Sequence, residues 1–249
     1  MVILISLGET HIANPACKTA TSHVGYTTTD PVIAAGTAII GASFTAVGGG
    51  VYDLVDVTVK GSMGYGDVDI QFVGSDGGWG EHFWYFDADN GSDGEGWYAD
   101  AGGGEKVQTF PLDTARAFAL TSADAEITLG TAGQVPTTDE EVTAAVAQGD
   151  GLVANPTPTP VSFANVAVVG SLGYGDVDCQ RVDMEGNWGE HYWYFDADNG
   201  ADGEGWYVDA GGGEKLPEDG EGSWLMGLGE GIYFTSADTD INVVFPKPL

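Results

Sequence analysis

Bases are scarce in this chain: seven Lys and Arg stand against 38 Asp and Glu, for a formal charge of −31. A phosphate backbone must be met by Lys and Arg, so no nucleic acid is expected as a partner. Anionic membrane surfaces are disfavoured on the same ground. Cysteine is nearly missing too, with only Cys17 and Cys179. That excludes a disulfide-dense scaffold or a thiolate zinc cluster. It leaves either one Cys17 to Cys179 disulfide, within the chain or between subunits, or two free thiols. Long apolar runs are absent, since no segment approaches the ~20 residues of a membrane span, and no membrane insertion is expected. The apolar opening has no base before Lys18 and is shorter than a secretory hydrophobic region. A mature or truncated end, or another export route, is the expectation there.

What the chain does have is glycine and rings: 40 Gly, seven Trp, ten Tyr and ten Phe. These suit strands and tight turns better than long helices, so an all-β class is expected. Self-repulsion at −31 is tolerable where salt or divalent cations screen it. This points to an extracellular or cell-surface, saline or calcium-rich setting, or to a salt-accumulating cell.

An internal repeat organises the sequence. Gly61 to Lys106 aligns without a gap on Gly170 to Lys215, with 36 of 46 positions identical. The sequence Thr121-Ser122-Ala123-Asp124 recurs at Thr235 to Asp238, and Thr28-Thr29-Asp30 at Thr137 to Asp139. The pattern predicts an N-terminal extension over 1–26 and two tandem antiparallel β-sandwiches of jelly-roll or Ig-like type, over 27–135 and 136–249, related by duplication. Two copies are too few for a solenoid, but a unit of about 110 residues can hold its own core.

Period-two alternation predicts a strand within Tyr52 to Lys60, with Val55, Val57 and Val59 inward, and another through Ile40, Ala42, Phe44 and Ala46. Phe118 to Leu129 and Ile232 to Phe245 read as closing strands that contain the Thr-Ser-Ala-Asp turn. Glu140 to Gln148 reads as a short helix. The strand Glu81 to Asp87 carries His82, Trp84 and Phe86 on one face and Phe83 and Tyr85 on the other, and its copy repeats this with His191, Trp193, Phe195, Tyr192 and Tyr194. Rings on both faces need cover from a loop, the sister unit, another subunit or a ligand. Phe83, Tyr85, Trp97, Tyr192, Tyr194 and Trp206 are therefore candidate interface or ligand aromatics.

After that strand comes an acidic turn, Asp87, Asp89, Asn90, Asp93 and Glu95, repeated as Asp196, Asp198, Asn199, Asp202 and Glu204. Closely spaced carboxylates on a Gly-rich turn could hold Ca2+. The spacing is not that of an EF-hand, and turn formation alone explains the same residues. Catalysis has little support. Glu81 and His82 are adjacent on a strand and point to opposite faces, and no nucleophile elbow or phosphate loop is present.

In its Gly-Asp-Val-Asp, Trp-Tyr-Phe-Asp and Gly-Trp-Tyr blocks the chain resembles the uncharacterised Gly- and Asp-rich tandem β-repeat surface proteins of bacteria. The resemblance implies a surface role and no reaction. A structural, self-assembling subunit of an extracellular filament, tube or surface layer is the leading expectation. Val2, Ile3, Leu4, Ile5 and Leu7 would link subunits by adding a strand to a neighbour's sheet, making copies of itself the partner. The alternative is a secreted carbohydrate-binding protein that takes a glycan, with or without calcium.

Overall fold

The computed structural model of the chain describes residues 32–33, 36–41, 52–61, 68–113, 115–122, 126–130, 141–157, 160–170, 172–173, 177–182, 188–217, 224–227, 229–236 and 239–246. The expected extension over 1–26, with its linking strand, and Ala42, Phe44 and Ala46 lie outside these residues.

The fold is all-β. The first half supplies β1 (Val32–Ile33), β2 (Gly36–Gly41), β3 (Tyr52–Asp53), β4 (Thr58–Gly61), β5 (Val68–Val73), β6 (Trp79–Phe86), β7 (Gly96–Tyr98), β8 (Pro111–Leu112), β9 (Ala117–Ser122) and β10 (Ile127–Gly130). The second supplies β11 (Val142–Val146), β12 (Gly149–Ala154), β13 (Val161–Ser162), β14 (Ala167–Gly170), β15 (Val177–Val182), β16 (Trp188–Phe195), β17 (Gly205–Tyr207), β18 (Leu225–Met226), β19 (Gly231–Ser236) and β20 (Ile241–Phe245). Each half builds a five-stranded sheet, β2-β9-β5-β6-β7 or β12-β19-β15-β16-β17, with a three-stranded sheet, β1-β10-β4 or β11-β20-β14, and a two-stranded one. The strand order of one half thus recurs in the other, and none of these sheets mixes strands from both.

Period-two patterning puts Val68, Ile70 and Phe72 inside and Asp69 and Gln71 outside on β5. A register shift follows between Gln71 and Val73. The expected closing strands form, but β9 belongs to the five-stranded sheet and β10 to the three-stranded one. The chain therefore crosses from sheet to sheet after Ser122. In each half, one cluster of buried residues draws on all three sheets. Trp97 and Trp206 are at its centre, and their indole N–H groups donate to the carbonyls of Val57 at 2.8 Å and Val166 at 2.6 Å.

Two local expectations are corrected. Leu54–Asp56 is a 3-10 turn, because Asp53 accepts the Val55 N–H and starts a cap where a strand was expected. Val55 consequently points outward at 41 % exposure. Glu140 to Gln148 yields β11 and no helix: β-branched Val142, Thr143 and Val146 pair in register with Phe245, Val244 and Ile241 of β20, and that pairing overrides weak helical propensity.

The outer faces of the two five-stranded sheets meet. Strands β2 and β9 touch β12 and β19, while β5 touches β12 and β15 touches β2, a reciprocal pattern. Ala117, Ala119, Leu152 and Ala154 form the small apolar patch of this seam. The Ala154 N–H donates to the Ala115 carbonyl and the Asp150 N–H to the Gly77 carbonyl, both at 3.0 Å. Ala115 reaches its place with φ +69, a conformation uncommon outside glycine.

Candidate functional site

The outward face of β6 is where the sequence left open what covers the rings. The structure divides that face into three parts. At one end Phe86 packs edge-on against Tyr98, centroids 5.2 Å apart. The returning loop lays Gly103, φ +64, so close that an added Cβ would sit 3.3 Å from the Phe86 ring. Here the covering element is a loop of the same half. At the other side, the sister half covers β9 and β2 along the seam. Between them a strip remains, formed by Asp69 and Gln71 of β5 and His82 and Trp84 of β6, all half-buried.

Within the strip, register places Asp69 opposite Trp84 and Gln71 opposite His82. The His82 Nε2–H reaches diagonally to donate to Asp69 Oδ2 at 2.5 Å. The imidazole also stacks on the Trp84 indole, with centroids 4.1 Å apart and planes at 26°. The second half repeats the set. His191 bonds Asp178 and stacks on Trp193 at 4.4 Å and 30°, with Gln180 beside them. Each strip is a half-buried, stacked imidazole–indole pair, one face of each ring turned to the other, beside one carboxylate and one amide.

The six rings named from sequence as interface candidates are elsewhere. Phe83, Tyr85, Trp97, Tyr192, Tyr194 and Trp206 point inward and are 1–7 % exposed, so they serve as core and offer no surface to a ligand. Burial pushes the hydroxyls of Tyr85 and Tyr194 well up, helped by their bonds to Glu95 and Glu204. Among the described residues, the Trp, Tyr and Phe rings that are exposed are Trp79 at 45 % and Trp188 at 54 %. Both touch Tyr233, Trp79 stacked across the seam at 6.4 Å and 12° and Trp188 edge-on at 5.6 Å. Burial and a hydrogen bond to Asp150 push the Tyr233 hydroxyl up to about 12.

The acidic turns are closed by their own hydrogen bonds. Asp87 Oδ1 accepts the N–H groups of Asp89 and Asn90 and the Asn90 amide at 2.8–3.0 Å, and Asp196 does the same with Asp198 and Asn199. Glu95 and Glu204 accept from Tyr85 and Tyr194. The Lys106 ammonium donates to the carbonyls of Asp93 at 3.2 Å and Glu95 at 2.6 Å, a place where a bound cation would find oxygens. The carboxylates of Asp89, Asp93, Asp198 and Asp202 are exposed. Among the described residues, no three or more His, Cys, Asp or Glu side chains converge on a point that could hold a metal ion. Further along the loop, the N–H groups of Glu105 and Gly104 hold the Asp100 carboxyl below its usual range, and those of Glu214 and Gly213 do this for Asp209.

Cys179 is a free thiol enclosed in the second core, where burial pushes its pKa well up. Of the two alternatives for the cysteines, the structure describes only Cys179; Cys17 lies outside the described residues.

Chemically, an imidazole held by a carboxylate can shuttle a proton. Nucleophilic catalysis would further need a hydroxyl or thiol on the second ring nitrogen. Among the described residues nothing but the aspartate is hydrogen-bonded to either imidazole. The His82 to Asp69 partnership is not visible among neighbours along one strand, because the two residues come from β6 and β5. Hairpin register, with Asp69 and Asp178 each 13 residues before a histidine, was the signal that could have found it. Compared with protein-family models, curated proteins and solved structures, the chain matches none of them.

Proposed function

We propose that the chain is a non-catalytic, extracellular recognition protein, built by duplication of one antiparallel β-sandwich and offering two equivalent aromatic strips to a carbohydrate. The observation that carries this reading is the half-buried His82–Trp84 stack beside Asp69 and Gln71, repeated as His191–Trp193 beside Asp178 and Gln180. The indole face turned away from its histidine meets the C–H face of a sugar ring, and carboxylate and amide oxygens accept its hydroxyls. Every other large ring of β6 and β16 beyond the exposed Trp79 and Trp188 is used by the core or by a covering loop.

The filament reading keeps less support. It rests on rings on both faces of β6 and β16, of which Phe83, Tyr85 and their copies are core and Phe86 and Phe195 lie under a loop. Its linking strand, Val2 to Leu7, falls outside the described residues.

The deciding experiment pairs an oligosaccharide array with light scattering on the intact protein. Recognition predicts small particles and glycan binding that falls about tenfold when Trp84→Ala and Trp193→Ala are combined, since an aromatic contact is worth about 0.5–1.5 kcal/mol beyond the area it buries. Large particles without glycan binding would favour the subunit of a polymer.

A further inference from the structure

The geometry points to a ligand that carries positive charge: an oligosaccharide of amino sugars with free ammonium groups. This rests on the recognition reading above and specifies its ligand class. Asp69 and Asp178 keep 25 % and 21 % of their side chains exposed while spending one oxygen each on a histidine. The acidic turn that follows β6, with Asp87, Asp89 and Asp93, starts one residue after Phe86 on the same strand end.

Among the described residues, the Lys106, Arg116 and Arg181 side chains are engaged with partners other than the strip side chains, Lys106 within the acidic turn itself. Lys106 is bonded to loop carbonyls, and Lys215 lies against Gly205 in the matching place. Arg116 lies over the Phe72 and Phe110 rings, and Arg181 over Trp224. Lys60 is on β4, in another sheet. A uronic or sulfated sugar would thus meet carboxylates with no Lys or Arg among the described residues to pair, at a cost in desolvation and repulsion. An ammonium-bearing pyranose reverses both terms. Its flat face covers Trp84, its charge gains from the ring quadrupole, and Asp69 supplies the counter-charge.

The test uses the full-length protein and three probes of equal length, followed by calorimetry and tryptophan fluorescence: glucosamine, N-acetylglucosamine and galacturonate oligomers. The expected result is that the glucosamine oligomer binds about tenfold tighter than the acetylated one, as one well-placed cation–π or ion contact would give. That preference should shrink between about 20 and 200 mM salt, with no binding of galacturonate. Replacing Asp69→Asn and Asp178→Asn together should remove the preference but leave residual binding through the tryptophans. Equal affinity for the acetylated oligomer, or a preference that survives both substitutions, overturns the inference and leaves sugar recognition standing. Equal binding by an oligolysine of the same charge also overturns it, because charge alone would then suffice. Failure of all three sugars overturns the inference, while the oligosaccharide array alone decides the recognition reading.

Discussion

Two tryptophans show how single residues close each half. Trp97 and its copy Trp206 are 1 % exposed and reach from β7 and β17 to a carbonyl just before β4 and β14. Trp97→Phe would leave the Val57 carbonyl without that donor and a gap where the indole stood. A loss of about 2–3 kcal/mol is expected, read as a lower urea midpoint at unchanged slope. A subtler residue-scale feature is a compensated swap between the halves. The first places Arg116 of the turn before β9 over Phe72 and Phe110. The second puts Arg181 of β15 over Trp224 and pairs it with Glu230 at 3.4 Å. Phe72 and Arg181 are repeat equivalents, so the cation arrives from a different strand yet lies over a ring at the core edge in both. That sequence difference, which reads as a loss of pattern in the repeat, is a conserved contact made from another position.

At the scale of elements, the acidic hairpin turns carry the residue types of a cation site and close through their own hydrogen bonds. Composition supplies Asp, Asn and Gly for both purposes, and only the bonds from Asp89, Asn90 and Lys106 reveal which atoms are engaged. The seam between halves depends on a closer approach. Gly77, φ +72 in the β5–β6 turn, would place a Cβ 2.0 Å from the Gln148 carbonyl oxygen of the β11–β12 turn. Gly77→Ala should therefore cost about 2 kcal/mol or more, from left-handed strain plus displaced backbone, and should alter the fluorescence of Trp79 where it stacks on Tyr233. Gly94→Ala is the control: it shares a positive φ, +81, but has open space around it. It should cost only about 1 kcal/mol, and an equal loss in both would show that the seam contact is unimportant.

At the scale of the molecule, charge is the largest collective term. With 38 acids against seven bases, the compact state repels itself, and the screening length falls from about 30 Å at 0.01 M salt to about 10 Å at 0.1 M. Thermal melts should therefore shift upward by several degrees over that range of NaCl, as general screening predicts. CaCl2 at matched ionic strength should do no more than NaCl. A far larger rise with calcium would show that the acidic turns bind it after all. Alternation and the repeat, both properties of residue order, were enough to specify an all-β chain, the β6 and β9 strands and the recurrence of one strand order, since side-chain period and turn chemistry are local; β5 was not among the strands read from sequence. What covers each face was not local. Phe83 and Phe86 sit three residues apart with equal apolarity, yet one is enclosed by its own sheets and the other by a returning loop. His82 and Trp84 stay half open because the seam and that loop stop short of them, and the Asp69 that holds His82 comes from the neighbouring strand. Such distances between residues far apart in the chain exist only once the sheets have packed.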